Sequence, residues 1–511
     1  MRKWLLLLCA ALSFHSVCRA AGPRCTERLL LGGDYPDPSI LRDGNTYYMV
    51  HSSFEFVPGL LVFRSDDLVR WRPIGNALHR YVGSVYAPDL VRYDGKWYIY
   101  FPAVSAERST NMVVWADSPE GPWSEPVDLG IGGIDPGHVA DRSGNRFLMM
   151  SNGHIVPLAP DGLSVTGPAR KVYDGWEYPA EWDVEGFCLE GPKVAKIGKY
   201  YYMLSAEGGT AGPPTSHMVV VARAENPSGP WENSPYNPLV HTYTTGERWC
   251  SKGHGTLVDT PDGQWYVVYH AYERGYYTLG RQTLAEPVEM TPDGWFVASS
   301  GKRRPLPAGS AEAASSFSDD FSGDRIGTQW HFFRGDDPQR VRHGDRSLTM
   351  KAMGSGPSDC SPMLFITGDH AYEIGVEAVC PAGADAGLLL FYGPSLYTGI
   401  GLQGDEIAVH VLGKPERFGN RVPARHVWFR LRNDRHTVSF RYSCDGKRWT
   451  KTQKSCETSG YHHNMAGGFL SLRPGIYASG DGEVVFRNFT YRKLPDPEVK
   501  NEETLCLKNK R

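Results

Sequence analysis

The chain has 511 residues, too many for one ordinary domain, and 41% of them are hydrophobic, which is enough for sizeable cores. Aromatic residues make up 12% of the chain, a share that fits many short strands and also sugar stacking. The net charge is −3, and it becomes about −6 when Arg2, Lys3 and Arg19 are removed. This negative charge and the lack of a polybasic run argue against a nucleic-acid partner.

The N-terminal residues have the pattern of a secretory signal peptide. Arg2 and Lys3 form a basic start, residues 5–14 are mainly apolar, and Ala20 offers a small residue for cleavage. No later stretch is long and apolar enough to span a membrane. We therefore expect a signal peptide over residues 1–20, export to the periplasm or the medium, and no membrane span.

Residues 21–300 contain five copies of one pattern, in which a polar residue is followed by a turn glycine and an aromatic, strand-like run. The glycine-to-glycine steps are 51, 49, 54 and 65 residues, a spacing typical of β-propeller blades. The polar residues are Asp37, Asp89, Asp135, Glu190 and His254, and the glycines are Gly44, Gly95, Gly144, Gly198 and Gly263. The pattern predicts an all-β fold in which five blades form a β-propeller.

In each copy the polar residue stands six to nine positions before the turn glycine, near the start of the same strand. If that strand is the innermost of its blade, all five side chains converge at one end of the central channel. Convergent carboxylates from separate repeats are what an acid–base site requires. We therefore expect a catalytic site at this end of the channel.

The chain changes character after the repeats. Residues 301–316 have the composition of a linker. Residues 317–496 contain runs of alternating apolar and polar residues, such as Val427-Trp-Phe-Arg-Leu-Arg, and predict an antiparallel β-sandwich. Residues 497–511 form a charged tail. The expected architecture is a five-bladed β-propeller followed by an antiparallel β-sandwich.

Eight cysteines are left once a signal peptide is removed, and their spacing contains no C-x-x-C pair, so a zinc site is not expected. An oxidising compartment permits disulfides. We expect Cys444 and Cys456 to be bridged. Cys188 and Cys250 are expected to be neighbours in space, because each lies close in sequence to a polar residue of the repeats.

The repeats carry motifs that together resemble glycoside hydrolase family 43. The motifs are Tyr35-Pro-Asp-Pro-Ser39, Ala87-Pro-Asp89, Gly133-Ile-Asp-Pro136, Glu190-Gly-Pro192, Gly253-His-Gly255 and Leu279-Gly-Arg281. The resemblance covers the whole predicted propeller, and the second domain looks like the concanavalin-type sandwich behind many β-xylosidases of the family. It implies an inverting glycosidase that acts on pentose-containing polysaccharide and requires no cofactor.

Three carboxylates carry the chemistry that the resemblance implies. Asp37 matches the general base, Glu190 the general acid, and Asp135 the residue that orients the acid and tunes its pKa. Inversion needs one carboxylate to activate water and one carboxylic acid to protonate the leaving oxygen, about 6.5–9.5 Å apart. A third carboxylate near Glu190 raises the pKa of that acid by repulsion, which keeps it protonated near neutral pH.

Four further residues are assigned to the substrate. Arg281 matches a family arginine that contacts the sugar and the carboxylates, with an ordinary ion pair as the alternative. Phe54 is expected to form a pocket wall or to pack in a core, and Tyr86 stands where the family usually has Trp. Asp89 is either a substrate-binding residue or a structural acid that binds backbone amides at the channel mouth.

His254 matches a histidine at the channel centre that is often linked to a bound calcium through water. Calcium prefers oxygen ligands, so a structural, buried histidine is the alternative. His138, His154 and His270 are interpreted as structural or incidental.

The leading prediction is an exported exo-acting β-xylosidase, with an oligosaccharide or polysaccharide as substrate and with sandwich loops closing the pocket. An α-L-arabinofuranosidase on the same site is the alternative. A retaining fructan-active hydrolase uses related motifs but carries Asn where Pro36 stands here. A carbohydrate-binding protein without catalysis is a hypothesis of another class, weakened by the presence of all three expected carboxylates.

Overall fold

The computed structural model describes residues 27–299, 306, 317–335, 337 and 339–496. The predicted signal peptide, nearly all of the predicted linker and the predicted charged tail lie outside the described residues. Within them the regular structure is almost entirely β-strand, and the helices are short segments at His463–Ala466, Ser151–Gly153 and Tyr277–Leu279. None of these described helices is long and apolar enough to cross a membrane. The all-β prediction is confirmed.

Five antiparallel sheets form the blades of a propeller. Blade 1 comprises Ser39–Asp43, Thr46–Val50, Gly59–Ser65 and Arg72–Leu78. Blade 2 comprises Ser84–Val85, Asp89–Tyr93, Lys96–Val104, Ser109–Ala116 and Val127–Asp128. Blade 3 comprises Gly137–Ala140, Arg146–Met150, His154–Pro157 and Arg170–Lys171. Blade 4 comprises Glu190–Ile197, Tyr200–Glu207, Met218–Ala224, Glu232–Asn233 and Val240–His241.

Blade 5 closes the ring because it combines strands from the two ends of the propeller sequence. It comprises Trp249–Asp259, Trp265–Glu273, Arg281–Met290, Phe296–Ala298 and, from the start of the described chain, Arg28–Leu31. Arg28 lies opposite Ala285 in the antiparallel register. The N-terminal strand thereby covers an edge of the last blade, as closed all-β architectures require.

The hydrophobic cores of the propeller lie between neighbouring blades. Each of the five blade-to-blade interfaces has its own buried cluster. Between blades 1 and 2, for example, the rings of Tyr48 and Trp97 meet edge to face with their centroids 4.8 Å apart. The aromatic runs that follow each turn glycine supply these contacts, so the repeat pattern of the sequence is also the packing pattern of the ring.

Two larger sheets form the sandwich. One has seven strands: Val341–Gly344, Ser347–Lys351, Glu483–Lys493, Ala371–Val379, His426–Asp434, Thr437–Ser443 and Thr450–Glu457. The other has eight: Lys414–Arg421, Glu406–Val411, Leu396–Gln403, Ala384–Gly393, Arg473–Gly480, Met363–Leu364, His331–Phe333 and Phe56–Val57. Their facing apolar side chains form one continuous buried cluster. The predicted order of propeller and sandwich is confirmed.

The last strand of the eight-stranded sheet belongs to the propeller sequence. Phe56–Val57 pairs with His331–Phe333, so that a loop of blade 1 extends a sandwich sheet. Arg473 of the sandwich also forms a buried ion pair with Asp34 of the propeller, with Nη2 and Oδ2 3.2 Å apart. Shared backbone hydrogen bonds and a buried charge pair therefore hold the two domains in contact.

The expected disulfide is absent from the described residues. Cys188, Cys250, Cys360, Cys380, Cys444 and Cys456 all have free thiols. Cys456 lies opposite Val438 in its sheet, whereas Cys444 lies beyond the end of the strand Thr437–Ser443. The prediction of a Cys444–Cys456 bridge is therefore wrong, because the strand register separates the two residues.

Candidate active site

In every blade, at least one residue in or just before the innermost strand has left-handed backbone angles, and one such residue per blade occupies an equivalent position. Its φ lies between 44° and 61°, a region that costs a non-glycine residue about 1 kcal/mol or more. These residues, here called the upper ring, are Asp37, Ala87, Asp135, Gly191 and His254. Four of the five line a single cavity at one end of the channel. The repeated backbone geometry is therefore what brings these residues together.

Two residues further along each strand lies a second set, here called the lower ring: Ser39, Asp89, Gly137, Lys193 and Thr256. Lys193 Nζ lies 3.0 Å from Asp89 Oδ1, and Ser39 Oγ donates to the same oxygen over 3.2 Å. Four of these residues line a different cavity, away from the upper ring. The lower ring thus forms a polar plug in the channel.

The structure contradicts the prediction that Asp89 binds substrate. Asp89 is 7% exposed, pairs with Lys193, and accepts the His138 backbone N–H over 2.7 Å. Ala87 is the residue of blade 2 that occupies the position of Asp37. The distance from polar residue to turn glycine varies among blades, so counting residues placed Asp89 in the wrong ring. Its alternative interpretation as a structural acid fits the contacts.

Asp37 is a buried carboxylate surrounded by partners. Ser52 Oγ donates to its Oδ2 over 2.5 Å, and Arg281 Nη1 lies 3.2 Å from Oδ1. The Nδ1 atoms of His270 and His254 lie 3.0 and 3.3 Å from the same Oδ1. Burial alone raises the pKa of Asp37, but the Arg281 guanidinium and the two histidines hold that pKa well below its usual value. Asp37 is therefore ionised, as a general base must be.

Glu190 and Asp135 form a pair of carboxyl groups that line the same cavity as Asp37. Ligand atoms of Asp135, Glu190 and His254 all lie within 4.8 Å of one another, and Asp37 is not a member of this cluster. The Gly191 N–H donates to Asp135 Oδ2 over 3.0 Å. Burial and repulsion from Asp37 raise the pKa of Asp135 to about 7, and burial and repulsion from both aspartates raise the pKa of Glu190 well above its usual value.

Glu190 is the member of the cluster that faces the solvent. Its side chain is 25% exposed, whereas the side chain of Asp37 is 5% exposed and Asp135 is buried. A carboxyl group with a raised pKa keeps its proton near neutral pH and can donate it to a group that enters the cavity. The three carboxyl groups thus line one cavity, and their catalytic roles stay a prediction.

The cavity has a volume of about 250 Å³, and both domains form its wall. Phe54 and Tyr86 line it from the propeller, as the sequence predicts, and Phe469 lines it from the sandwich. The Arg281 guanidinium carbon lies 5.9 Å from the Phe54 ring centre and 5.3 Å from that of Phe469. Burial and the nearby Asp135 and Glu190 charges raise the pKa of Tyr86 to about 12, so its hydroxyl stays protonated.

The family resemblance implies that His254 is linked to a bound calcium through water, and the side chains around it do not form a complete calcium site by themselves. Calcium takes six to eight oxygen ligands, whereas the cluster supplies one imidazole and the two carboxyl groups Asp135 and Glu190, whose pKa values are raised. The His254 ring packs directly beside Gly191, where an added Cβ would lie 2.9 Å from Nε2. Burial lowers the pKa of His254 to about 3. Its Nδ1 faces Asp37, and its buried Nε2 has no hydrogen-bond partner among the described residues, so the calcium link through water stays a prediction.

Several residues of the site were missed or dismissed at the level of sequence. His270, interpreted as structural or incidental, contacts the base, and Ser52 donates a hydrogen bond to it. His217 lies beside Glu190, and Phe469 comes from the second domain. Ser52 stands two residues after the aromatic strand of the first repeat, a signal that was available, whereas the other three come from distant parts of the chain.

Comparison with known proteins gives two family matches that cover both domains. Residues 27–296 match the family described as glycosyl hydrolases family 43. Residues 318–492 match the family described as beta xylosidase C-terminal concanavalin A-like domain. The boundary between the matches falls in the predicted linker, and the first match spans more than half of the chain.

Individual relatives agree with this result. The chain is 33% identical over 371 residues to the non-reducing end alpha-L-arabinofuranosidase BoGH43B of Bacteroides ovatus, with 68% of this chain and 67% of the relative covered. It is 33% identical over 317 residues to a xylan 1,3-beta-xylosidase of Vibrio sp., with 53% and 57% covered.

Among solved structures, the GH43 protein BlXynB of Bacillus licheniformis is 28% identical to this chain. It superposes with a TM-score of 0.79, and the match covers 92% of this chain and 100% of that one. The agreement of motifs, fold and both domain matches leads to one conclusion. The chain belongs to glycosyl hydrolase family 43.

Proposed function

We propose that this protein is an inverting exo-glycosidase that releases a terminal pentose, xylose as first choice, from plant-type polysaccharide or its oligosaccharides. The observation that carries the proposal is the opposite shift of two carboxyl pKa values in one cavity, downward for Asp37 and upward for Glu190. Environments that push two such pKa values apart assign one group as base and the other as acid.

The proposed reaction is a single displacement. A water oxygen bonds to the anomeric carbon as Asp37 accepts one of the water protons. Glu190 donates its proton to the glycosidic oxygen, and the bond between that oxygen and the anomeric carbon breaks. Asp37 ends protonated and Glu190 ends ionised, and proton exchange with solvent restores both. Arg281 and Ser52 keep Asp37 ionised and oriented before the step.

The cavity supports action on chain ends. Its volume of about 250 Å³ lies below the roughly 300–1,000 Å³ that is common for drug-sized ligands, so it suits one sugar ring and a water molecule. The sandwich residues Gly468 and Phe469 help to wall it off. A pocket enclosed by two domains admits a terminal residue more readily than the middle of a polysaccharide chain.

The identity of the sugar rests on the relatives. The names of the two matched relatives include a xylosidase and an arabinofuranosidase, and both activities are compatible with one pocket shape. We propose β-xylosidase activity first and α-L-arabinofuranosidase activity as the second candidate, which the Bacteroides ovatus relative favours.

We also propose export to the periplasm or medium, based on residues 1–20, which mass spectrometry of the mature N-terminus would test.

The first experiment compares hydrolysis of 4-nitrophenyl β-D-xyloside and 4-nitrophenyl α-L-arabinofuranoside. Wild type is measured beside Glu190→Ala, Asp37→Ala and the control Asp259→Asn, whose carboxylate pairs with Arg42 away from the cavity. Loss of nitrophenyl glycoside turnover in Asp37→Ala, loss of turnover on the matching disaccharide (xylobiose for a xylosidase) in Glu190→Ala, and unchanged turnover in the control support the assignment and name the sugar. Turnover that survives in both site variants refutes it.

A second experiment addresses the stereochemistry. Proton NMR of the first product gives its anomeric form, and inversion is expected because Asp37 is assigned as the base that activates water. A product of retained configuration would favour the fructan-type hypothesis. Binding of pentosyl oligosaccharides without any turnover would instead support a carbohydrate-binding protein.

A further inference from the structure

His217 is a buried histidine of the site to which the mechanism above gives no role. It immediately precedes the strand Met218–Ala224 of blade 4 and is 0% exposed. Neither Nδ1 nor Nε2 has a hydrogen-bond partner within the described residues. Its Nε2 lies 3.9 Å from Glu190 Oε1, slightly beyond hydrogen-bond distance. Burying a polar ring without hydrogen-bond partners costs folding free energy. The position of the His217 ring beside Glu190 therefore needs an explanation other than stability.

The surroundings of His217 hold its ring in a defined place. The ring stacks on His270, with centroids 5.2 Å apart and planes 13° apart. On another side it lies against Gly253, where an added Cβ would be 1.7 Å from the His217 Cδ2 atom. Only glycine at position 253 leaves room for this ring. Burial, together with the neighbouring His270, His254 and Arg281, holds the pKa of His217 well below its usual value, so the ring is neutral.

The stacked pair connects the two catalytic carboxyl groups. His270 Nδ1 lies 3.0 Å from Asp37 Oδ1 on one side of the stack, and His217 Nε2 faces Glu190 on the other. Two nearly parallel buried imidazole rings, with centroids 5.2 Å apart, therefore lie between the base and the acid. The spacing between these two groups decides whether a water molecule fits beside the sugar in an inverting site.

We propose that His217 is a positioning residue for the general acid: from its place on the His270 ring, its Nε2 directs the Glu190 carboxyl group toward the leaving oxygen. This inference rests on the proposed function, because it requires Glu190 to be the acid. During the reaction Glu190 gives its proton to the leaving oxygen, and His217 neither gains nor loses one.

Leaving groups of different basicity test this role. A nitrophenolate departs with little protonation, whereas the sugar alkoxide released from xylobiose needs the proton of the acid. We compare kcat/KM for xylobiose and for 4-nitrophenyl β-D-xyloside in wild type, His217→Phe and His217→Gln. If the sugar is arabinose, the matching arabinofuranosyl pair replaces these substrates. The control is His410→Phe, because His410 is also buried and has an unpartnered Nδ1, but lies in the sandwich.

The Phe variant keeps a stacking ring and loses the nitrogen. We expect its kcat/KM for xylobiose to fall about tenfold to a hundredfold more than for the nitrophenyl substrate, within the range that general acid catalysis contributes. The Gln variant, which keeps an amide near the Nε2 position, is expected to recover most of this difference. An equal loss on both substrates, or no loss on either, overturns the proposal, since a merely structural role would not change the ratio.

A crystal structure of the Phe variant gives a readout that does not depend on the substrate. The proposal expects the Glu190 carboxyl group to turn away from its wild-type orientation, and an unchanged orientation overturns it. Failure of the proposed function would be seen differently, as wild-type protein without turnover on any pentosyl substrate.

Discussion

The buried ion pair between Arg473 and Asp34 offers a quantitative test of how the two domains are joined. The two side chains are 2% and 1% exposed, and the Arg473 guanidinium carbon also lies 3.5 Å from the ring centre of Phe56. Burial raises the pKa of Asp34 and lowers that of Arg473, and attraction between the two opposes both shifts. We propose the substitution Arg473→Met, which keeps much of the volume and removes the charge.

Without Arg473 the Asp34 carboxylate loses its main buried counter-charge and is expected to take up a proton. Protonating a group of ordinary pKa near 3.9 at pH 7 costs about 4 kcal/mol, since each pH unit is worth about 1.4 kcal/mol. At pH 5 the same cost is about 1.5 kcal/mol. The folded-state pKa is then raised above the unfolded value, so the stability of the variant is greatest below the unfolded pKa and is lost as pH rises.

The expected loss of unfolding free energy is therefore about 4 kcal/mol at pH 7, in the range of about 3–5 kcal/mol for broken buried pairs, and less than half of that at pH 5. Urea unfolding followed by tryptophan fluorescence measures it. The control is the double variant Asp34→Asn with Arg473→Met, whose loss relative to wild type is expected not to grow with pH. An equal loss for the single variant at both pH values would refute the reasoning.

Three further predictions concern single residues. Asp135→Asn removes a negative charge that raises the pKa of Glu190, so the alkaline limb of the kcat/KM profile is expected to move to lower pH; an unchanged limb would contradict this. Phe469→Ala opens the wall of the pocket and is expected to reduce kcat/KM on 4-nitrophenyl xyloside about tenfold, or about 1.4 kcal/mol, without changing the melting temperature much, because Phe469 is 38% exposed. Burial raises the pKa of Glu207 to about 8, so the folded protein keeps this proton at pH values where the unfolded chain, with a pKa of about 4.3, has lost it. The free energy of unfolding of wild type is therefore expected to fall by on the order of a few kcal/mol between pH 5 and pH 8, and that of Glu207→Gln by much less, as thermal unfolding at both pH values would show.

The repeats of the sequence were sufficient to predict the ring of blades. A turn glycine followed by an aromatic strand is a local pattern, and each copy carries its own strand pair and its own contribution to an interblade core. The same holds for the alternating strands of the sandwich. The family motifs then assign Asp37, Asp135 and Glu190, because each motif lies within a single turn and needs no distant partner to be recognised.

The sequence was not sufficient to place residues whose position depends on strand register. Asp89 follows the same motif pattern as Asp37, but the left-handed residue of its blade is Ala87, so its side chain lies one step deeper and pairs with Lys193. A shift of two residues keeps a side chain on the same face of a strand and moves it along the channel. Only the backbone angles of the folded ring show which of the two positions an acid occupies.

By itself, then, the sequence determined the blade count and the order of the propeller and the sandwich, and it predicted three catalytic carboxyl groups, because all of these depend on local patterns. The tertiary structure decided which groups surround those carboxyl groups. His270 and His217 reach the site from blades 5 and 4, and Phe469 reaches it from the sandwich. Ring closure and the docking of the sandwich bring them together across hundreds of residues, and contacts at that separation leave no periodic signal in a single sequence.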